Sequence, residues 1–166
     1  MNVFDGSSRK RQSVTMLSDF NLGRTFSGGE ASNYKPTILA QETYYDFNGT
    51  PVIELMGTPL PDANNYGFAY QTQINQSSGA KLSKSAYDSP NSNTSPQLDV
   101  SATEVGAAQY YSAYNQLYLN SGNEIMDYLP DASGYPFSRT ELTKDGSGRV
   151  RVKYAAGSEL ANDNTK

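Results

Sequence analysis

The sequence predicts an all-β fold of antiparallel hairpins interrupted by irregular loop insertions. Three observations carry this. An Asp-x-x-Gly turn recurs along the 166 residues, and β-prone runs follow it. The aromatic content is skewed, with 13 Tyr, 6 Phe and no Trp. Tyr pairs an apolar ring with a polar tip and suits half-buried sheet faces. Gly (14) and Pro (8) sit mostly at turn-like positions.

The elements follow in order. Asp5-Gly6 turns the chain into the β-prone run Gln12 to Leu17. Residues 18–36 carry Gly28-Gly29, Asn33 and Pro36 and read as an irregular excursion. Thr37 to Tyr45 is strand-like, Asp46-Phe47-Asn48-Gly49 a turn, and Pro51 opens a second strand, Val52 to Met56. Gly49 takes positive φ at no steric cost, and Asp46 bonds backbone amides across the turn. Thr58-Pro59-Leu60-Pro61-Asp62 breaks the strand pattern. Tyr66, Phe68 and Tyr70 at period two predict a short half-buried strand within 64–75. The Ser/Asn/Pro-rich stretch 75–101 reads as a mobile loop.

Residues 103–119 fit two readings, a short helix or a Tyr-rich loop, and irregular structure with one helical turn is favoured. Tyr110, Tyr111, Tyr114 and Tyr118 then serve core packing. Ile125, Met126, Tyr128 and Leu129 make a small apolar knot. Tyr135 to Leu142 reads as a strand, and Arg149 to Tyr154 closes the pattern with Val150, Val152 and Tyr154 on one face. Three regions result: hairpins over 1–57, a polar insertion over 58–103, and a Tyr-rich segment with further hairpins over 104–166.

Composition narrows the function classes. With no His and no Cys, the chain has no Ser-His-Asp or Cys-His nucleophile and no thiolate or imidazole metal ligand. Glu42, Asp46, Glu54, Glu124 and Asp127 are the candidate paired carboxylates for glycoside chemistry. The stronger reading makes Asp46 a turn residue and Glu42 and Glu54 strand-surface charges. No run matches an Asp-x-Asp-x-Asp-Gly calcium loop, so neither metal nor cofactor is expected. A net charge of −4 argues against a nucleic-acid partner. The alternation Arg149-Val150-Arg151-Val152-Lys153 reads as a solvated strand face. No apolar run reaches membrane-spanning length, and Met1 to Ser18 lacks the apolar centre of a signal peptide.

The turn aspartates stand at 5, 46, 131 and 145, with a degenerate Tyr87-Asp88 between. The first three spacings, with Asp88 included, are 41, 42 and 43 residues and the last is 14, a repeat with loop insertions. The repeat-turn residues are Asp5, Arg9, Tyr45, Asp46, Gly49, Asp131, Gly134, Asp145, Gly148 and Arg149. Tyr44-Tyr45-Asp46-Phe47-Asn48-Gly49 resembles the tyrosine-aspartate repeat of Rhs and YD-repeat proteins. Phe4 to Thr15, Tyr128 to Asp131 and Gly134 to Glu141 resemble segments of large Bacteroidetes Rhs-like proteins, and Asp145-x-x-Gly148-Arg149-Val150 follows at the expected place. Two departures stand out: Thr50 where the repeat has arginine, and Ser8 where it has glycine.

The resemblance implies a spiralling β-shell, a cocoon that commonly encloses a toxin domain. It implies a non-catalytic wall section from a secreted or cell-surface bacterial protein. Its partners would be the remaining repeats of the same shell, the enclosed toxin lying outside this chain. It also implies repeats that run on beyond this stretch, making it an internal piece of a longer polypeptide. The alternative is a secreted β-rich adhesin or carbohydrate-binding module, with Tyr110, Tyr111 and Tyr114 stacking on sugar rings.

Overall fold

The computed structural model describes residues 1–17, 37–61, 69–77, 80–87, 95–100, 106–115 and 129–161. Its main element is a seven-stranded antiparallel sheet. The strands are β1 (Asn2–Phe4), β2 (Lys10–Leu17), β3 (Thr37–Tyr45), β4 (Pro51–Leu55), β5 (Thr58–Pro61), β8 (Phe137–Leu142) and β9 (Val150–Tyr154). The order is β1-β2-β3-β4-β8-β9, with β5 paired to β3. A two-residue hairpin, β6 (Gln76–Ser77) and β7 (Ala80–Lys81), stands apart. Among the described residues, helix is confined to single turns: a 3-10 turn at Thr72–Asn75, α1 (Lys84–Tyr87), α2 (Ala107–Tyr110) and α3 (Ser158–Ala161).

Period two decides which face is core. On β3, Ile38, Ala40, Glu42 and Tyr44 are buried, while Gln41 between them is exposed. Neighbouring strands continue that face with Gln12 and Val14 from β2, Ile53 and Leu55 from β4, and Phe137 from β8. Tyr87 closes the core, edge-on to Phe137 at 4.9 Å between ring centroids.

Three hairpins share one irregularity. The register skips a residue of the second strand just as the first enters its turn. Val3 faces Gln12 but Phe4 faces Lys10, Tyr44 faces Ile53 but Tyr45 faces Pro51, and Glu141 faces Val152 but Leu142 faces Val150. A bulge at the same place in each hairpin sharpens the local twist. This self-similarity is structural and goes beyond the Asp-x-x-Gly count.

The polar region differs from the sequence reading. Thr58–Pro61, expected to break the pattern, forms β5 against β3, with Leu39 opposite Pro59 and Thr37 opposite Pro61. Among the described residues β5 pairs on one side only, and since proline has no N–H the donors to β3 fall to Thr58 and Leu60. The end of the strand expected within 64–75 is instead the 3-10 turn, with Ile74 and Asn75 buried; Tyr66 and Phe68 lie outside the described residues. The stretch read as a mobile loop supplies β6, β7 and α1, and buries Tyr87 and Leu98. Short apolar anchors among Ser and Asn escape a composition argument. The single helical turn expected somewhere within 103–119 is present as α2. Tyr118, Glu124, Ile125, Met126, Asp127 and Tyr128 lie outside the described residues.

Candidate functional site

Four Asp turns share one local design. In the first, the Asp5 carboxylate accepts from the Ser7 amide at 2.8 Å, the Arg9 amide at 3.0 Å and Arg9 Nε at 2.8 Å. In the second, Asp46 Oδ1 accepts from the Thr50 amide at 2.7 Å, and the Gly49 amide donates to the Asp46 carbonyl at 3.2 Å. In the third, Asp131 accepts from the Ser133 amide at 2.7 Å. In the fourth, Asp145 accepts from the Ser147 amide at 3.0 Å and from Arg149 Nη2 at 2.7 Å.

The third residue after each Asp takes positive φ: Ser8 at 60°, Gly49 at 86°, Gly134 at 87° and Gly148 at 69°. Ser8 therefore holds the conformation that glycine supplies elsewhere, at a steric cost. These bonds hold the Asp5 carboxyl below its ordinary range, the Arg9 amide contributing most. Asp145 is also lowered, chiefly by the Ser147 hydroxyl and then by Thr143. In both, the bonds donated by the turn favour the charged carboxylate.

Two turns are joined. Arg9, held by Asp5, donates from Nη1 to the Asp46 carbonyl at 3.2 Å. Its guanidinium lies 5.1 Å from the centroid of the Tyr45 ring. The Tyr45 hydroxyl returns a bond to the Lys10 carbonyl at 2.7 Å. The aromatic before the Asp and the arginine after the turn thus meet across adjacent hairpins.

A second cluster surrounds Glu42. Expected as a strand-surface charge, it is 1% exposed, because its place on β3 falls on the core face between Ala40 and Tyr44. Glu54, on the opposite phase of β4, is exposed as expected. Glu42 Oε1 accepts from Arg11 Nε at 3.1 Å, Lys81 Nζ at 3.2 Å and the Tyr70 hydroxyl. Its other oxygen has no hydrogen-bond partner among the described residues. Arg11 stacks on Tyr44 at 3.3 Å and Lys81 on Tyr70 at 3.8 Å. Burial, with Arg11 adding repulsion, lowers the Lys81 ammonium pKa against the pull of Glu42.

Below this lies a buried hydroxyl-amide chain. Asn75 donates to the Tyr44 hydroxyl and accepts from the Tyr87 hydroxyl, and Tyr44 donates to the Leu82 carbonyl at 2.9 Å. Burial raises the Tyr44 hydroxyl to about 12, helped by the Glu42 charge. A shallow cleft of about 320 Å³ opens here, lined by Arg11, Tyr44, Lys81, Leu82, Ser83 and Lys84. Among the described residues its lining holds three cations and no carboxylate. Sequence reasoning missed this cluster; the unbroken period-two run Ile38, Ala40, Glu42, Tyr44 was the signal that could have found it.

The tyrosines of the sugar-platform reading divide. Tyr111 is buried, its hydroxyl donating to the Gly57 carbonyl; Tyr110 is half-buried edge-on to it, and Tyr114 is exposed. Among the described residues, no three acidic side chains gather as a metal site, and no helix is long and apolar enough to cross a membrane.

Comparison with family models, with curated proteins and with solved structures finds no match to this chain.

Proposed function

We propose that this chain is a structural section of a YD-repeat β-wall, non-catalytic itself, that forms part of a shell around a toxin or effector domain. One observation carries the wall: Arg9 of one Asp turn is seated on the Tyr45-Asp46 turn of the next hairpin. Such cross-turn seating ties hairpins into a continuous sheet, and it has no use in a catalytic pocket. The shared bulge and the shared positive φ add to it. The enclosed toxin and the secreted or cell-surface setting rest on the family resemblance alone.

A wall section carries open sheet edges and associates when isolated from its neighbours. Light scattering of the purified 166-residue chain is expected to show concentration-dependent association. A monomer that melts cooperatively and binds a glycan saturably would overturn the wall in favour of the adhesin reading.

A further inference from the structure

The turns at Asp5 and Asp145 are built alike on the side that enters the second strand. Each places an arginine four residues after the aspartate, ion-paired back to it at 2.8 and 2.7 Å. In each, the next residue opens a strand, Lys10 or Val150. Their surroundings differ. Arg9 is covered by the Tyr45-Asp46 turn, with its side chain close above Gly49. The Arg149 side chain is 74% exposed, and Val150 beside it is 59% exposed. Strand β9 ends the sheet order among the described residues, so its outer edge has no neighbour there.

We infer that Arg149 and the outer edge of β9 form a docking site for an antiparallel hairpin whose turn reads Tyr-Asp-x-x-Gly. This rests on the wall reading and names the partner chemistry that the wall accepts at this edge. The occupant is set by the example inside the chain. Extending the β2–β3 register, in which Gln12 faces Glu42, places Arg9 opposite Tyr45. The same register on β9 places the partner tyrosine opposite Arg149 and covers Val150. The partner tyrosine hydroxyl then reaches the Val150 carbonyl, as Tyr45 reaches Lys10. Arg149 keeps Asp145 through one edge of its guanidinium and gives the other to the partner Asp carbonyl, a bidentate task that lysine cannot repeat.

The test is titration of the isotope-labelled 166-residue chain with a cyclised peptide carrying residues 41–54, which holds the Tyr45-Asp46 hairpin closed. Saturable shifts confined to the Val150 to Tyr154 amides and the Arg149 Nε–H are expected. Arg149→Ala is expected to weaken binding at least fivefold, with Arg149→Lys restoring little. A peptide with Tyr45→Ala should weaken it similarly, and the two changes together should cost less than their product. Absence of a saturable shift at β9 overturns the proposal. Binding indifferent to Arg149 overturns it as well, while leaving the wall intact; the wall falls separately if the chain alone is a cooperatively melting monomer that binds a glycan saturably.

Discussion

Arg9 and Asp46, 37 residues apart in sequence, are joined by a 3.2 Å bond from guanidinium to backbone carbonyl, while the same guanidinium holds Asp5. One side chain therefore fixes two turns in relation to each other. Replacing Arg9 with Ala removes two charge-assisted bonds that are partly exposed, and is expected to cost about 1–2 kcal/mol in urea unfolding. Arg9→Lys should recover less than half, since a single ammonium cannot serve both acceptors.

Glu42 carries a heavier penalty. Removing it leaves Arg11 and Lys81 without their shared anion, though both reach solvent at about a quarter of their side-chain surface. Glu42→Ala is expected to destabilise by about 2–3 kcal/mol, short of the full cost of breaking a sealed ion pair. Glu42→Gln keeps the shape and an acceptor for Tyr70, and should lose about half of that in the same unfolding measurement.

Alkaline pH should unfold the chain through its buried hydroxyls. Burial raises Tyr44 and Tyr111 from 10.0 to about 12, and raises Tyr87 as well. Folded values above the unfolded one mean the native state keeps protons that the unfolded chain gives up. Their contribution is whole below pH 10 and drains away as pH climbs from 10 towards 12. Ultraviolet titration of phenolate should show a late-ionising group of tyrosines that coincides with loss of β circular dichroism. Coincident ionisation of all tyrosines before unfolding would contradict it.

Gly134 has little room to change. Its φ is 87°, and an added Cβ would stand 2.7 Å from the Leu98 carbonyl oxygen, which is backbone and cannot swing aside. Gly134→Ala is expected to cost about 1–3 kcal/mol from the backbone conformation alone, with the clash in addition. Gly146→Ala, also at positive φ but with open space around it, isolates the first part in the same thermal melt.

Much of the sheet was legible in the sequence. The runs Thr37 to Tyr45 and Arg149 to Tyr154 alternate clearly, and turns bounded by Asp and Gly mark their ends. The β5 strand was hidden because proline signals a break in any window that cannot see which side of the strand is paired. Tyr87 and Leu98 were hidden among Ser and Asn, since a single apolar anchor leaves no period. Glu42 was misjudged by its charge: alternation placed it inward, and only distant Arg11 and Lys81 make that tolerable. The pairing of Arg9 with Asp46 needed a register, which no local window contains.

The two prolines of β5 seal one flank of the sheet. Pro59 and Pro61 hold the outward positions of β5 and carry no N–H, so an arriving strand would find no donor there. That flank offers an arriving strand no donor, whereas β9, which has no proline from Val150 to Tyr154, keeps every second N–H for its outer edge. Strand addition is thereby kept off β5 and left to the ends of the sheet order, where the backbone still has hydrogens to give.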